Sequence, residues 1–419
     1  MNYLNYAKEE FEQLSKSLLL IASENYPSQE VLNASGSIFQ LPYTEGFPGK
    51  RYYCGCEVVD KMEQDCIDKC LELFDAKEEY NANVQPNSGA SANMIVYNAV
   101  LQPGDTVLAM DVKAGGHISH SHPKSFLSKY HNVIKYEVDE NGYLNYDEIE
   151  DLCIRYNPKL IVCGASNYSR IIDFKRFRKI ADEMNALLMA DIAHISSLVA
   201  HGEHPSPVGI ADFITSTTHK CLRGPRGAFI IYKKEFEKAI QLSTIPGLFG
   251  GPLQHQIYAK LVCFNEMLTP QAKEYSKQII KNAKKMEEVF KQNIVPLVTN
   301  GTDNHLMTID LTEYTISGKT LAGTLERLGV IANCNTVPKD PRSFLETSGI
   351  RVGVPAITAR GFKEDDIAKL TQAIADVINC YRKDFVNIDR ARLYEKNLKE
   401  VVQILIEKYP LTNIYKNFN

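Results

Sequence analysis

ADFITSTTHK, residues 211–220, and ALLMADIAH, residues 186–194, are the two runs on which the reading of this chain turns. In each, an apolar stretch of strand length ends in polar side chains, and ligands of open α/β sheets gather at the carboxyl ends of strands. The first run delivers Lys220, between His219 and the turn Gly224-Pro225-Arg226-Gly227, and the second delivers Asp191. A lone lysine after a strand is ordinarily a solvated surface residue. A lone aspartate there ordinarily caps the next helix. An amine and an acid delivered together by two strands of one sheet are a more specific signal than either alone.

Outward from these runs, short apolar segments at 106–112, 159–164, 186–191, 212–216 and 227–232 alternate with helical stretches from about 83 to 233. That alternation is the pattern of a mainly parallel sheet wrapped by helices. Helical periodicity then runs through 271–292, a long helix placed to link two domains. Beyond it, 305–310 and 349–353 read as strands, 363–381 as a helix and 391–409 as a last helix before a polar tail. At 419 residues the chain exceeds what one hydrophobic core supports, so two domains are expected. The divisions are an N-terminal arm 1–50, a large domain 51–265, and a linking helix with a small domain 266–419.

Apolar residues make up 44% and charged residues 23%, with a net charge of -4. These values give no general electrostatic reason to seek nucleic acid or an anionic membrane. The start MNYLNYAKEEFEQLSKS is charged and amphipathic, unlike a secretory leader, and no run approaches the ~20 apolar residues of a membrane span. A cytoplasmic protein is expected. Ten scattered cysteines read as free thiols in a reducing compartment. Cys54-Gly55-Cys56 and Cys66 with Cys70 lack a paired framework, so no metal is expected.

The chemistry that joins Lys220 to Asp191 is that of pyridoxal phosphate. An acid against the ring nitrogen keeps it protonated, which makes the ring an electron sink for a carbanion at Cα, and a lysine carries the cofactor as a Schiff base. The phosphate needs N–H donors at a helix N-terminus, and Asn87-Ser88-Gly89-Ala90-Ser91 opens a predicted helix. Gly250-Gly251 offers further donors. Arg351, in SGIRVG, is a candidate clamp for a substrate carboxylate, because a guanidinium fork makes two parallel charge-assisted bonds. An arginine in a strand is otherwise most often a surface residue.

Several blocks carry a wider resemblance: LIASENYPS (20–28), YTEGFPGKRYY (43–53), VQPNSGASAN (84–93), DIAHISSLVAHGEHPSP (191–207), TSTTHK (215–220), GPRG (224–227), TDNH (302–305) and TSGIRVGVPAIT (347–358). In order and spacing the chain resembles the serine hydroxymethyltransferase family from about 20 to 362. The resemblance implies the fold-type I class of pyridoxal phosphate enzymes, α/β with a mainly parallel seven-stranded sheet and a smaller C-terminal α/β domain. It implies that Lys220 carries the cofactor, with Asp191 at the ring nitrogen, His117 stacked on the ring and His194 beside the phenolic oxygen. Ser88, Gly89, Ser166 and Thr217 fall in cofactor-contacting blocks, and His219 joins the catalytic set. Arg351, Ser23 and Tyr53 are implied on the substrate side, and Glu45 handles the proton of the substrate hydroxyl. Tyr43, Glu45, Tyr53 and Gly251 reach the site from a neighbouring subunit in this family, which implies a homodimer with composite sites. Tyr52, Val112, Gly116 and Asn335 are implied contacts of tetrahydrofolate, the co-substrate.

The implied reaction interconverts serine and tetrahydrofolate with glycine and 5,10-methylenetetrahydrofolate by retro-aldol and aldol chemistry. The chain departs from the family at Asn87 and Ala90 of the phosphate turn, at Val112, Lys113 and Ala114, at Ile245, Leu248 and Phe249, and at Cys54 and Asn167. These departures leave a folate-independent aldolase acting on another β-hydroxy-amino acid as the alternative.

Overall fold

The computed structural model describes residues 5–416; Met1 to Leu4, at the tip of the N-terminal arm, and the end of the polar tail lie outside the described residues. Seven strands form the main sheet: β1 Tyr80–Asn83, β2 Thr106–Met110, β3 Asn132–Tyr136, β4 Leu160–Cys163, β5 Leu187–Asp191, β6 Phe213–Thr217 and β7 Ala228–Lys233. They lie in the order β1-β7-β6-β5-β4-β2-β3. The run from β6 through β3 is parallel throughout, and β7 is antiparallel to both β1 and β6. The interior strands LIVC and AFIIYK are buried almost along their whole length, as a sheet covered on both faces requires. All five expected strands are present. The two that sequence periodicity did not single out, YNAN and NVIKY, are the two edges of the sheet.

A second sheet of β8 Leu306–Asp310, β9 Asn333–Asn335 and β10 Gly349–Gly353 runs antiparallel in the order β8-β10-β9. The helices that matter below are α1 Gly89–Val100, α2 Gln254–Met267, α3 Pro270–Gln292, α4 Glu364–Asn379 and α5 Ile388–Lys408. The expected long helix is α3. Thr269 caps it by accepting from the Ala272 N–H, and Pro270 sits at its first turn, where a missing N–H costs nothing. It packs on α4, and α4 packs on α5. One apolar cluster runs through both sheets, joining Leu108, Ile161 and Ile214 to Ile309, Ile350 and Leu370. The start of the chain is fastened to the second half. Leu18 and Leu19 pair in parallel with Val330 and Ile331. No helix among the described residues is long and apolar enough to cross a membrane.

Candidate active site

The carboxyl ends of β4, β5 and β6 open on one narrow cleft, lined by Gly89, His117, Ser166, Asp191, His194, Thr217 and Lys220. Every one of these was expected at the cofactor. Lys220 is buried, and burial together with the Arg351 charge outweighs the pull of Asp191 and lowers its ammonium to about 8. Asp191 ends β5. Its Oδ1 accepts from the Ala193 N–H at 3.0 Å, and its Oδ2 accepts from Asn93 Nδ2 and His120 Nε2, each at 3.0 Å. Burial alone would raise this carboxyl, but the His120 bond and the cationic groups around it prevail and hold it well below the usual carboxylate range.

The supports of Asp191 were not among the expected residues. A carboxylate only accepts, so His120 Nε2 turns its N–H to Asp191, and its Nδ1 meets the Tyr97 hydroxyl at 2.5 Å. Burial pushes that phenol far up, which keeps it a donor. Asn93, one turn along α1 from Gly89, accepts from Thr215 Oγ1 at 2.7 Å and gives its second N–H to Ser119 Oγ at 3.0 Å. Ser119 in turn meets His117 Nδ1 at 2.7 Å, so Asn93 ties the acid to His117. The only sequence signals were a second histidine three residues past His117 and a polar residue on the Gly89 face of the helix. Burial, and to a lesser degree the His120 charge, lower His117 to about 4, so it is neutral. His194 is likewise pulled down by burial and stacks on His305, with ring centroids 5.5 Å apart.

Ser88 caps α1 in a reciprocal pair with Ser91, leaving the Gly89 and Ala90 N–H groups at the open end of the helix. A Cβ on Gly89 would sit 2.9 Å from Thr217 Cγ2, and Thr217 Oγ1 is buried without a partner. A small anionic group seated on that helix end fits these donors. Arg351, in β10, donates from Nη1 to the Ser166 carbonyl at 2.6 Å and from Nε to Asn333 Oδ1 at 3.1 Å. It is buried, burial alone lowers it to about 10, and among the described residues no carboxylate pairs with it.

Other expected residues lie elsewhere. Tyr43, Glu45, Tyr53 and Gly251 form their own cluster. The Tyr43 hydroxyl lies 3.4 Å from Glu45 Oε1, the Tyr43 and Tyr53 rings are 4.8 Å apart, and the Tyr43 ring packs over Gly251. None of the four lines the Lys220 cleft. Their hairpin is anchored from behind by Arg51, which pairs with Asp60 at 2.8 Å and Glu63 at 2.6 Å. Ser23 and His219 line a different, larger cavity of about 620 Å³, with Glu24 and Arg226. Burial, then the adjacent Lys220 charge, lowers His219 to about 4.

Of the folate set, Val112 and Gly116 lie near Asn335, because Thr336 Oγ1 donates to the Lys113 carbonyl at 3.0 Å, whereas Tyr52 stands apart on the exposed hairpin. Gly116 has no room for a side chain: a Cβ would lie 2.2 Å from the Met110 carbonyl oxygen. Two of the departures turn out to be inward-facing. Ile245 is buried and Phe249 packs on the apolar cluster of Val96 and Ile230. Asn167 accepts from Thr308 Oγ1 at 2.7 Å, bridging the β4 end to β8.

The sheet order, with a lysine and an acid at adjacent strand ends, defines the fold-type I class of pyridoxal phosphate enzymes. The model of the serine hydroxymethyltransferase family matches residues 2–374. A serine hydroxymethyltransferase of Ehrlichia chaffeensis is 47% identical over 405 residues, covering 96% of each chain. This chain therefore belongs to the serine hydroxymethyltransferase family, and with it to the enzymes that transfer one-carbon groups.

Proposed function

We propose that the chain interconverts serine and tetrahydrofolate with glycine and 5,10-methylenetetrahydrofolate, with pyridoxal phosphate on Lys220. The observation that carries this reading is one buried neighbourhood holding a lysine lowered to about 8, an aspartate held ionised and an arginine without a carboxylate. Lys220 would hold the cofactor aldehyde, Asp191 the ring nitrogen, His117 the ring face and His194 the phenolic oxygen. Ser88, Gly89 and Thr217, with Gly251 of a second subunit, would hold the phosphate, and Ser166 completes the wall. When bound, the cofactor supplies an electron sink for negative charge at the amino-acid Cα.

The chain's own residues then orient and move protons. Arg351 keeps a free edge of its guanidinium for the substrate carboxylate, which fixes the Cα–Cβ bond relative to the cleft. Glu45 takes the proton from the serine hydroxyl as the Cα–Cβ bond breaks, with Tyr43, Tyr53 and Ser23 packing around the substrate. The neutral His194 and His219 donate or accept without adding charge beside Lys220. Val112, Gly116, Asn335 and Tyr52 would receive the folate.

Tyr43, Glu45, Tyr53 and Gly251 gather away from the Lys220 cleft of their own chain, which supports a homodimer whose sites take them from the other copy. Ile38, Leu41 and Tyr52 on that face are 73%, 76% and 71% exposed in one chain, an apolar patch suited to a subunit contact. A cytoplasmic location fits ten free cysteines. The division into an arm 1–50, a large domain 51–265 and a small domain 266–419 fits the two sheets. The deciding assay is serine cleavage with and without tetrahydrofolate. Acceleration supports the reading; an unchanged rate, with brisk folate-free cleavage of another β-hydroxy-amino acid, would replace it by the aldolase.

A further inference from the structure

A buried lysine that the reaction does not use lies directly behind the proposed phosphate seat. Lys260, on α2, is 1% exposed, and its ammonium donates to the carbonyls of Val84 at 2.6 Å, Pro86 at 2.8 Å and Ala228 at 2.9 Å. An ammonium has three N–H donors and no acceptor, so each donor is placed. Such full satisfaction is what allows a charge to stay buried. Glu63, the acid that acts on it, is itself engaged by Arg51 at 2.6 Å.

The three carbonyls are at informative positions. Val84 and Pro86 flank Gln85 and lead straight into Asn87, Ser88 and Gly89. In a trans peptide the carbonyl and the following N–H point in opposite directions. The Pro86 carbonyl is held by the Lys260 ammonium and by the Ala228 N–H at 3.0 Å, and this aims the Asn87 N–H away from α2. The Val84 carbonyl sets the Gln85 N–H in the same way, and Asn83 Oδ1 accepts that N–H at 2.9 Å. Ala228 follows Gly227, whose carbonyl accepts from the Thr218 N–H at 3.0 Å, beside Thr217 and Lys220. A Cβ on Gly227 would lie 2.4 Å from Lys260 Cε, so the glycine leaves the passage through which the lysine reaches these carbonyls. The ammonium thus adds three bonds to the backbone link between Ala228 and Pro86, splinting the approach to the phosphate turn to the loop that carries Lys220.

We propose that Lys260 is a positioning residue for the cofactor phosphate, fixing the aim of the Asn87 N–H and the seating of the α1 start with its open Gly89 and Ala90 N–H groups, and placing a positive charge behind them. This rests on the cofactor reading above. The test compares apoprotein of the unaltered chain, Lys260→Met and Lys260→Gln. Each is titrated with pyridoxal phosphate and with pyridoxal, which has the same ring and aldehyde but no phosphate, and each is also melted without ligand. Both variants are expected to lose about tenfold or more in affinity for pyridoxal phosphate and less than about twofold for pyridoxal, because only a phosphate feels the aim and the charge. Equal losses for both ligands, or no loss for either, would overturn the proposal, as would variants that show no cooperative melting. If the unaltered chain binds neither compound, the cofactor reading fails instead.

Discussion

The Lys220 cleft and the hairpin of residues 43–53 are both rich in polar and aromatic groups, yet they are finished differently. In the cleft every charged group is buried, and its supports come from the same chain: Asn93, His120 and Tyr97 behind Asp191, Ser166 and Asn333 around Arg351. In the hairpin the supports are equally firm underneath, where Arg51 and Glu63 are 3% and 1% exposed, but Tyr43, Tyr52 and Tyr53 stand 59%, 71% and 45% exposed above them. Buried ion pairs are costly to assemble, so a hairpin braced this way is held in a fixed shape before anything covers it. The charges of the cleft are braced and buried within one chain, whereas the hairpin is braced below and leaves its aromatic face exposed.

The sharpest way to break this contrast is to mix two inactive variants. Lys220→Ala and Glu45→Gln are each expected to lower turnover about a thousandfold or more, the scale of removing a reacting group. If sites are shared between subunits, random exchange makes half of the dimers hybrids with one intact site each, so about a quarter of full activity returns on mixing. No recovery in a serine-cleavage assay would put both residues in one chain's site. Next in size, Arg51→Ala strands a buried carboxylate and is expected to cost about 3–5 kcal/mol of stability, seen in denaturant unfolding. Arg351→Lys keeps the charge but loses the fork, so KM for serine is expected to rise about 10- to 100-fold with kcat changed far less. An unchanged KM would remove Arg351 from the site. The smallest effect concerns pH. A lysine at about 8 is half deprotonated there rather than near 10.5, so the rate at which apoprotein takes up pyridoxal phosphate is expected to rise with pH and level off above about 8. A rise that continues to pH 10 would show that Lys220 keeps an ordinary amine.

The interior of the main sheet was legible because strands buried on both faces are continuous apolar runs, and two of them led into residues with chemical meaning, Asp191 and Lys220. NVIKY escaped because it is an edge strand largely open to water, and YNAN because its two buried or half-buried asparagines break any apolar run. Lys220, Asp191 and Arg351 could be read from their positions at strand ends or within a strand. Asn93, His120 and Lys260 could not, since a buried polar residue that braces another looks, in sequence, like any polar residue on a helix. Phe249, one of the departures from the family, packs on the apolar cluster around Val96 and Ile230, a placement that its polar and glycine-rich neighbourhood in the sequence does not signal.

Arg351 also has a mechanical consequence. Its strand belongs to the three-stranded sheet, while the carbonyl that takes its Nη1 belongs to the loop after β4 of the seven-stranded one. On the proposed role of Arg351, a carboxylate docking on the remaining edge of that guanidinium would be gripped where the two sheets meet, and the amino acid would act as a rivet between them. Serine or glycine will then slow proteolysis and amide exchange across the 166 and 333 loops. Ethanolamine, which has the amine and hydroxyl of serine but no carboxylate, will leave them as open as before.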